Sequence, residues 1–308
     1  MFFTDDDEVI KLMRHFLDIR TFYIKTWSYI ADDKEFYHYP IYKKDIEKMP
    51  DKEEIKKQLK EIYSNKPSGD FESYWLRIIG SNLYHKFIDK YSKKMWGIKS
   101  NKELSIDFNW VSKNNPIRKE DTRLYKNMFQ GYPIDFDGYN QYFDKALFGC
   151  KFVPECKIKG MKRRIVKTNK GDFTANIIVN TISVDTLFNN KFGKLKYSGR
   201  EMLKLMLPVK QILPDNVAWV HYSGDEPFTR MTEFKKITNY KSNDTLLGIE
   251  IPSKGQHYPL PIESEKQKFK KYKKLFPKNF YSIGRLGSYT YKGIPDAMKN
   301  TLDLIKTL

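Results

Sequence analysis

Gly284-Arg285-Leu286-Gly287-Ser288-Tyr289-Thr290-Tyr291 is the stretch from which the fold of this chain can be predicted. The apolar run Asn279–Ile283 before it predicts a short buried strand, and Ile294–Met298 after it begins a closing helix with proline in its first turn. A strand, a glycine-flanked arginine and a helix N-terminus together present backbone N–H groups and a cation, which are groups that bind phosphate. Taken alone, the stretch slightly favours a tight turn with a solvated arginine, and four other stretches change that balance.

Composition limits the class of protein. The chain has 308 residues and a formal net charge of +18, which indicates an anionic partner. Only ten of the 56 basic residues are arginine, and the lysines are scattered, so we expect no nucleic-acid partner. Two cysteines without a nearby histidine cluster predict neither a disulfide framework nor a metal site. With an acidic N-terminus and no apolar run of about 20 residues, we expect a cytoplasmic chain without a membrane span.

The first 105 residues have mainly helical periodicity. A helix is predicted from about Glu8 to Ile19, capped by Thr4 or Asp5, with no strand before it. The aromatic alternation of 21–42 around a turn at Asp32-Asp33 predicts a β-hairpin. Residues 51–97 predict two helices interrupted at Lys66-Pro67-Ser68-Gly69, and Ser100 with Glu103 predicts the start of a third helix.

From about residue 128 short strand-like runs replace the helical pattern. They are Lys151–Val153, Arg164–Thr168, Ala175–Ile182, Lys194–Tyr197, Val217–Tyr222 and Thr229–Lys236, with a turn at Asn169–Asp172. The basic run Lys266–Lys274 is interrupted by Gln267, Phe269 and Tyr272, as in a helix with one buried face. A helical insert, an antiparallel sheet and a final strand–turn–helix predict a mixed α+β and α/β fold.

Four stretches carry candidate chemistry. Phe87, Tyr91, Ser92 and Trp96 at a helix end could stack on a base, although core packing is the likelier role for them alone. Arg118 suits a diphosphate because its planar fork pairs with two oxygens, and a solvated arginine is its alternative. Arg230 starts a strand, and either a role in binding an anionic ligand or a salt bridge to a neighbouring carboxylate is left open for it. His257–Pro261 is a loop.

Together these stretches resemble the UDP-galactopyranose mutase family. The resemblance is carried in order by Tyr91–Gly97, Phe129–Pro133, Asp185–Tyr197, Pro227–Arg230, Tyr258-Pro259 and Gly284–Tyr291. It implies a flavoenzyme that acts as an isomerase and interconverts UDP-galactopyranose and UDP-galactofuranose, a precursor for cell-surface glycans. It implies no net redox change, with UDP displaced from the anomeric carbon by reduced FAD.

The resemblance also implies roles for individual residues. Arg118 and Arg230 are implied as the catalytic arginines that neutralise the diphosphate. The implied substrate-binding residues are Phe87, Tyr91, Ser92, Trp96, Phe129, Tyr258 and Tyr291. The implied cofactor-binding residues are Gly284, Arg285, Leu286, Tyr289 and Ile294. The implied partner is a UDP-sugar, and a homo-oligomer is left open.

The resemblance implies four regions. Residues 1–47 would be the remnant of a truncated FAD-binding Rossmann-like domain with the aromatic hairpin, and 48–127 a helical substrate-binding domain. Residues 128–262 would be mainly antiparallel sheet, with strands returning to the FAD domain, and 263–308 would complete that domain with a helix, a strand and a helix.

The chain departs from the family pattern at several positions. It contains no G-x-G-x-x-G sequence, so we expect FAD to bind weakly or not at all to these residues alone. Phe3, Phe129, His221 and Gly293 stand where the family has histidine, tyrosine, asparagine and a carboxylate. Two alternatives follow: a non-catalytic UDP-sugar-binding remnant, and an amine-oxidase-like flavoprotein. The paired arginines argue against an amine substrate, which has no diphosphate.

Overall fold

The computed structural model describes residues 1–62, 69–105, 116–125 and 128–308. The strands are β1 Phe2–Thr4, β2 Ile19–Thr21, β3 Lys25–Ile30, β4 Glu35–Tyr39, β5 Ile41–Tyr42, β6 Ile117–Arg118, β7 Phe129–Pro133, β8 Ile158–Lys162, β9 Ile165–Thr168, β10 Gly171–Phe173, β11 Ile178–Asn180, β12 Tyr197–Leu207, β13 Val217–Tyr222, β14 Arg230–Glu233, β15 Thr245–Pro259 and β16 Phe280–Ser282. The helices are α1 Asp7–Phe16, α2 Lys43–Ile46, α3 Lys52–Glu61, α4 Phe71–Tyr84, α5 Lys90–Trp96, α6 Asn140–Ala146, α7 Val184–Leu187, α8 Lys235–Thr238, α9 Glu263–Lys273, α10 Gly284–Gly287 and α11 Ile294–Ile305. A π-helical turn covers His85–Asp89 and a 3₁₀ turn covers Asn101–Glu103.

A six-stranded sheet in the order β12-β15-β14-β13-β3-β4 is the largest sheet of the described residues. Its pairs are antiparallel except β13 with β3, which run parallel. The hairpin β3–β4 turns at residues 31–34, so the hairpin predicted around Asp32-Asp33 is confirmed. Several strands within residues 150–250 are antiparallel, since β8 pairs with β9, β9 with β10 and β12 with β15 in that direction.

The helices α3, α4 and α5 pack against the hairpin end of this sheet. Their apolar side chains, such as Ile55, Trp75 and Leu83, form one buried cluster with Tyr37 and Ile41 of the hairpin region. Burial of large apolar side chains is the main stabilising term in such a layer, worth about 1.5–3 kcal/mol per side chain. This cluster fixes α5 against the sheet, and α5 presents Tyr91 and Trp96.

The strand–turn–helix predicted from the opening stretch is confirmed. β16 pairs in parallel with β11, α10 forms the turn, and α11 follows with Pro295 in its first turn. Gly287 has to be a glycine here, because a Cβ atom would lie 2.7 Å from the backbone oxygen of Asn180. Gly284 has φ +72°, a conformation that glycine adopts without strain.

The N-terminal prediction needs three corrections. A strand, β1, does precede the first helix and pairs with β7 through Phe3 and Gln130. The N-cap is Asp6, whose carboxylate accepts from Glu8 N and Val9 N, so neither Thr4 nor Asp5 caps the helix. The helix ends at Phe16, and Ile19 begins β2.

Several predicted strands are wrong or shorter than expected. Lys151–Val153 form no strand, and Lys194–Lys196 only precede β12. Within 175–182 only β11 forms, and its partner is parallel. β14 ends at Glu233 and a short helix follows, so Phe234 and Lys236 lie outside the strand.

The remaining predictions concern helices. The Lys-rich segment is helix α9, with Tyr272 fully buried as predicted. Ser100 and Glu103 form a capping box on a single 3₁₀ turn. The predicted break at 66–68 and any continuation of the third helix over 106–115 lie outside the described residues. Within the described part of the chain, no helix is long and apolar enough to cross a membrane.

Candidate functional site

Helix α5 brings aromatic side chains close to those at the end of β15 and after the C-terminal turn. Tyr91 and Trp96 are buried, and the Trp96 ring lies 6.4 Å from the Tyr258 ring and 6.0 Å from the Tyr291 ring. Ser92 between them is fully buried, and its hydroxyl has no hydrogen-bond partner among the described residues. Phe87 lies one turn earlier, in the π-helical segment, and packs against Tyr39 at 6.5 Å.

Two tyrosines and an arginine are stacked beside Trp96. Tyr258 at the end of β15 and Tyr291 after α10 are stacked, with ring centroids 5.5 Å apart. The Arg285 guanidinium lies 4.6 Å from the Tyr258 centroid and 5.2 Å from the Tyr291 centroid. Arg285 Nε donates to the backbone oxygen of Lys292 at 2.8 Å. The turn at Gly284–Gly287 thus positions the arginine cation beside two tyrosine side chains.

Two arginines near these rings share one carboxylate. Arg230 donates to Glu250 Oε2 at 2.5 Å, and Arg200 Nε lies 3.3 Å from Glu250 Oε1. The pairing follows from register, because Arg230 lies opposite Glu250 where β14 pairs with β15. The salt-bridge alternative for Arg230 is therefore realised. Burial opposes the charged guanidinium, but the Glu250 carboxylate raises the pKa of Arg230 above its usual value.

Arg200 links Glu250 to helix α5. Its guanidinium donates to the backbone oxygen of Met95 at 2.7 Å and to Ser198 Oγ at 2.6 Å. It also lies 5.0 Å from the Tyr258 ring centroid. One glutamate against the two arginines leaves the local charge positive, which suits an anionic ligand.

His221 lies opposite Arg230 in the sheet. Its ring meets those of Tyr39 and Tyr91 edge-on at 5.2 and 5.3 Å, and Trp219 Nε1 donates to His221 Nε2 at 3.0 Å. Burial, aided by the charge of Arg230, lowers the pKa of His221 to about 3. The imidazole is therefore neutral, and because Nε2 accepts a hydrogen bond, the proton lies on Nδ1.

Arg118 is buried at the edge of this group. Its guanidinium donates to the backbone oxygens of Arg123 at 2.6 Å and Leu124 at 3.1 Å. Burial lowers the pKa of the Arg118 guanidinium, and the nearby Asp121 and Tyr39 act on it in the opposite direction. The Nε atom has no partner among the described residues. Two of its donors are thus already engaged, unlike the free fork that the sequence suggested.

Three predicted site residues make their contacts elsewhere. Phe129 packs on Phe2 at 5.5 Å, in the cluster formed by α1 and α11. Tyr289 is buried and donates to the backbone oxygen of Lys196 at 2.5 Å. Ile294 is 47% exposed at the start of α11. Burial of Tyr289 and the packing of Phe129 give both a structural role that the motifs did not reveal.

The C-terminal turn fits one side of a dinucleotide cofactor. A Cβ atom on Gly284 would meet nothing within 4 Å, so the backbone of the turn is open to a ligand, and Arg285 lies beside it. The first turn of α11 begins ten residues after Gly284, and helix N-terminal amides favour an anion. The usual second cradle, a glycine-rich G-x-G-x-x-G turn, is absent from the sequence. The fit is therefore to part of the cofactor.

Sequence reasoning missed Arg200 and Glu250. The signal was present in both cases. Arg200 is one of only ten arginines in a Lys-rich chain, and Glu250 is the single charge in the apolar run Leu246–Ile251. A lone carboxylate in a buried strand needs a partner, since an unpaired buried charge is costly.

The fold and the contacts described above define a mixed α/β protein in which arginines and tyrosines lie together beside helix α5. The family described as UDP-galactopyranose mutase matches residues 86–291. The chain belongs to this family. The matched segment contains Trp96, Arg118, Arg230, Tyr258 and Tyr291.

Curated relatives agree with this membership. The chain is 24% identical to dTDP-fucopyranose mutase of Escherichia coli over 242 residues, which are 76% of this chain and 62% of that protein. It is 26% identical to the probable UDP-galactopyranose mutase of Klebsiella pneumoniae over 231 residues, 72% of this chain and 56% of that protein. The chain thus spans about three-fifths of the length of these relatives.

Solved structures show the same fold. A reduced UDP-galactopyranose mutase superposes with a TM-score of 0.78 at 15% identity, covering 98% of this chain and 83% of that one. A putative protoporphyrinogen oxidase from Exiguobacterium sp. 255-15 gives a TM-score of 0.63 at 12% identity, covering 97% and 84%. The predicted mixed α/β fold is confirmed, and it is close to that of UDP-galactopyranose mutase.

Proposed function

We propose that this chain binds a UDP-sugar and takes part in a flavin-dependent pyranose–furanose ring contraction, as a UDP-galactopyranose mutase-like isomerase. The observation that carries the proposal is the group formed by Arg230, Arg200 and Glu250 beneath Tyr258 and Tyr291. This group places a net positive charge next to the hydroxyl groups and aromatic rings of two tyrosines.

The arginines suit the diphosphate. Displacement of UDP leaves negative charge on the diphosphate, and fixed cations stabilise that charge most where water is excluded. Arg230 is held in place by Glu250, so its orientation is set before the ligand arrives. Arg118 supports the same region from β6. Fixed geometry lowers the entropy cost of aligning the sugar for reaction.

The aromatic side chains suit the nucleoside, and the tyrosine hydroxyls suit the phosphate oxygens. Trp96 and Phe87 offer rings for the uracil, and the Ser92 hydroxyl is buried without a partner among the described residues. Burial raises the pKa of Tyr91 and of Tyr291 above the usual phenol value. Both phenols therefore stay protonated near neutral pH and are suited to donate hydrogen bonds to phosphate oxygens.

FAD is the cofactor that the family implies. Gly284, Arg285 and Leu286 with the start of α11 would hold one part of it. The chemistry that FAD supplies in such a reaction is nucleophilic catalysis at the anomeric carbon. The residues of this chain bind the diphosphate, orient the sugar and exclude water. We assign 48–127 to substrate binding, 128–262 to the sheet region and 1–47 with 263–308 to the cofactor side.

The direct test is turnover with product analysis. The protein is supplied with FAD and dithionite, and UDP-galactopyranose and dTDP-fucopyranose are offered in separate reactions resolved by chromatography. A furanose product supports the proposal, and the better substrate identifies the nucleotide sugar. UDP binding without turnover identifies the non-catalytic alternative. Oxidation of an amine with no UDP binding would overturn the proposal in favour of the amine-oxidase-like alternative.

A further inference from the structure

A basic cavity of about 1160 Å³ opens at the end of the sheet opposite the UDP-sugar cleft. Four strands, β3, β13, β14 and β15, connect the two places. Asn216 lines the cavity and precedes β13, whereas His221 near the other end of β13 faces the cleft. At about 3.3 Å per strand residue, roughly 15 Å separates them. The cavity is thus a second place, with its own lining.

Its charge is strongly one-sided. Of the residues that the structure describes, seven basic side chains line the cavity and Asp215 is the single acidic one, whereas the whole chain has 56 basic and 38 acidic residues. Among the described residues, Lys25, Lys210 and Lys241 have no ion-pair partner. They come from three separate segments of the chain. Their shared location concentrates positive charge without local compensation, which attracts a multiply charged anion.

The rims of the cavity are tied together by hydrogen bonds. Lys235 Nζ donates to the backbone oxygens of Lys210 at 2.9 Å and Ser242 at 2.8 Å, so it joins the loop before β13 to the loop before β15. Lys236 Nζ donates to Gln211 Oε1 at 3.0 Å. Since these bonds fix both loops, a ligand would lose little free energy in ordering them.

Rings and amides accompany the charge. Tyr23 is 56% exposed and Tyr240 is 54% exposed, so both present ring surface for stacking. The side-chain amides of Gln211, Asn239 and Asn243 also line the cavity, and each can donate and accept hydrogen bonds. This combination suits the polar ring of a sugar or a nucleobase.

We propose that this cavity binds a small ligand that carries two or more phosphate groups on a sugar or a nucleoside. Lys25, Lys210 and Lys241 bind the phosphates, and Tyr23 with Tyr240 contacts the ring. The site is distinct from the cleft of Arg230 and does not depend on the proposed mutase reaction.

The test is calorimetry with inorganic tripolyphosphate at fixed ionic strength. The triple variant Lys25→Gln, Lys210→Gln and Lys241→Gln should weaken binding at least about tenfold, because charge-assisted hydrogen bonds are lost. The matched control, Lys270→Gln, Lys271→Gln and Lys273→Gln, removes the same charge from the exposed face of α9 and should leave binding unchanged. Screening over about 8 Å at physiological salt separates the two effects.

The outcomes are distinct. Equal weakening in both triple variants, or no tripolyphosphate binding by the parent, would overturn the site. Weakening by Arg230→Ala instead would place the anion in the UDP-sugar cleft and would equally overturn it. ATP and fructose 1,6-bisphosphate then distinguish a nucleoside from a sugar as the carrier of the phosphates. UDP is present at saturating concentration so that the proposed UDP-sugar site is occupied. If either compound binds more tightly than tripolyphosphate, and Tyr23→Ala or Tyr240→Ala removes that difference, the proposed ring contact is supported. If neither compound binds more tightly, the proposed ring contact is overturned.

Discussion

Replacement of Arg230 by alanine tests the assignment of the UDP-sugar cleft. Arg230 uses one terminal nitrogen for Glu250, and its Nε atom has no partner among the described residues. A hydrogen bond to a charged group contributes about 1.5–3 kcal/mol. Loss of even one such bond to the diphosphate should weaken UDP binding by about 2 kcal/mol or more, which is roughly 30-fold.

The substitution should leave the protein folded. Glu250 keeps Arg200 at 3.3 Å and the Thr229 hydroxyl at 3.2 Å, so its carboxylate is not left without partners. Its remaining negative charge lies close to the ligand and adds to the loss of UDP affinity. Arg230→Lys keeps the charge but lacks the planar fork, so we expect an intermediate loss.

The assay is calorimetric titration of UDP into parent and variants at one ionic strength, with thermal unfolding measured on the same samples. Arg164→Ala is the matched control, because it removes one positive charge from the β8–β9 turn. Equal UDP affinity in parent and Arg230→Ala would refute the assignment. Equal weakening in Arg164→Ala would show that only net charge matters, which also contradicts it.

Three further outcomes are expected. Burial lowers the pKa of His221 to about 3, whereas the side chain of the unfolded protein protonates near its ordinary value. The free energy of unfolding should therefore fall as the pH drops from about 6.5 towards 3, and urea unfolding of His221→Asn should show a weaker fall. Parallel pH profiles of the parent and the variant would contradict this. Gly287→Ala forces a Cβ atom against the Asn180 backbone at 2.7 Å and should cost about 1–3 kcal/mol in unfolding free energy. Gly293→Ala, with ordinary 3.5 Å contacts, should cost less than about 1 kcal/mol, because it only replaces the N-cap glycine of α11. The 308 residues alone should purify with little or no flavin absorbance, because only one part of the cofactor's cradle is present in the sequence; a yellow, dithionite-reducible preparation would show that other residues hold FAD.

The sequence predicted those parts of the fold that local pattern determines. The hairpin at 31–34, the turn at 169–170, the helix α9 and the turn at Gly284 follow from spacing, glycine and proline within a few residues. The parallel pairs could not be predicted in this way. β11 and β16 are about 100 residues apart, and β3 and β13 about 190, and no local signal specifies which strand a segment pairs with. The resemblance to a family implied strands that return to the FAD domain, but it did not specify these pairs.

The candidate site shows the same limit at the level of single residues. Arg230, Tyr258 and Tyr291 could be predicted because they lie in motifs, but Arg200 and Glu250 become related to them only through sheet register. Glu250 lies opposite Arg230 on β14 and opposite Met202, two residues from Arg200, on β12. One carboxylate on the central strand can therefore meet arginines from both neighbours. A buried glutamate that holds two arginines costs desolvation, and pairing with both offsets that cost only when the geometry is fixed. The long β12–β15 pairing fixes it, so the strand that carries Glu250 also positions the cations that we assign to the diphosphate.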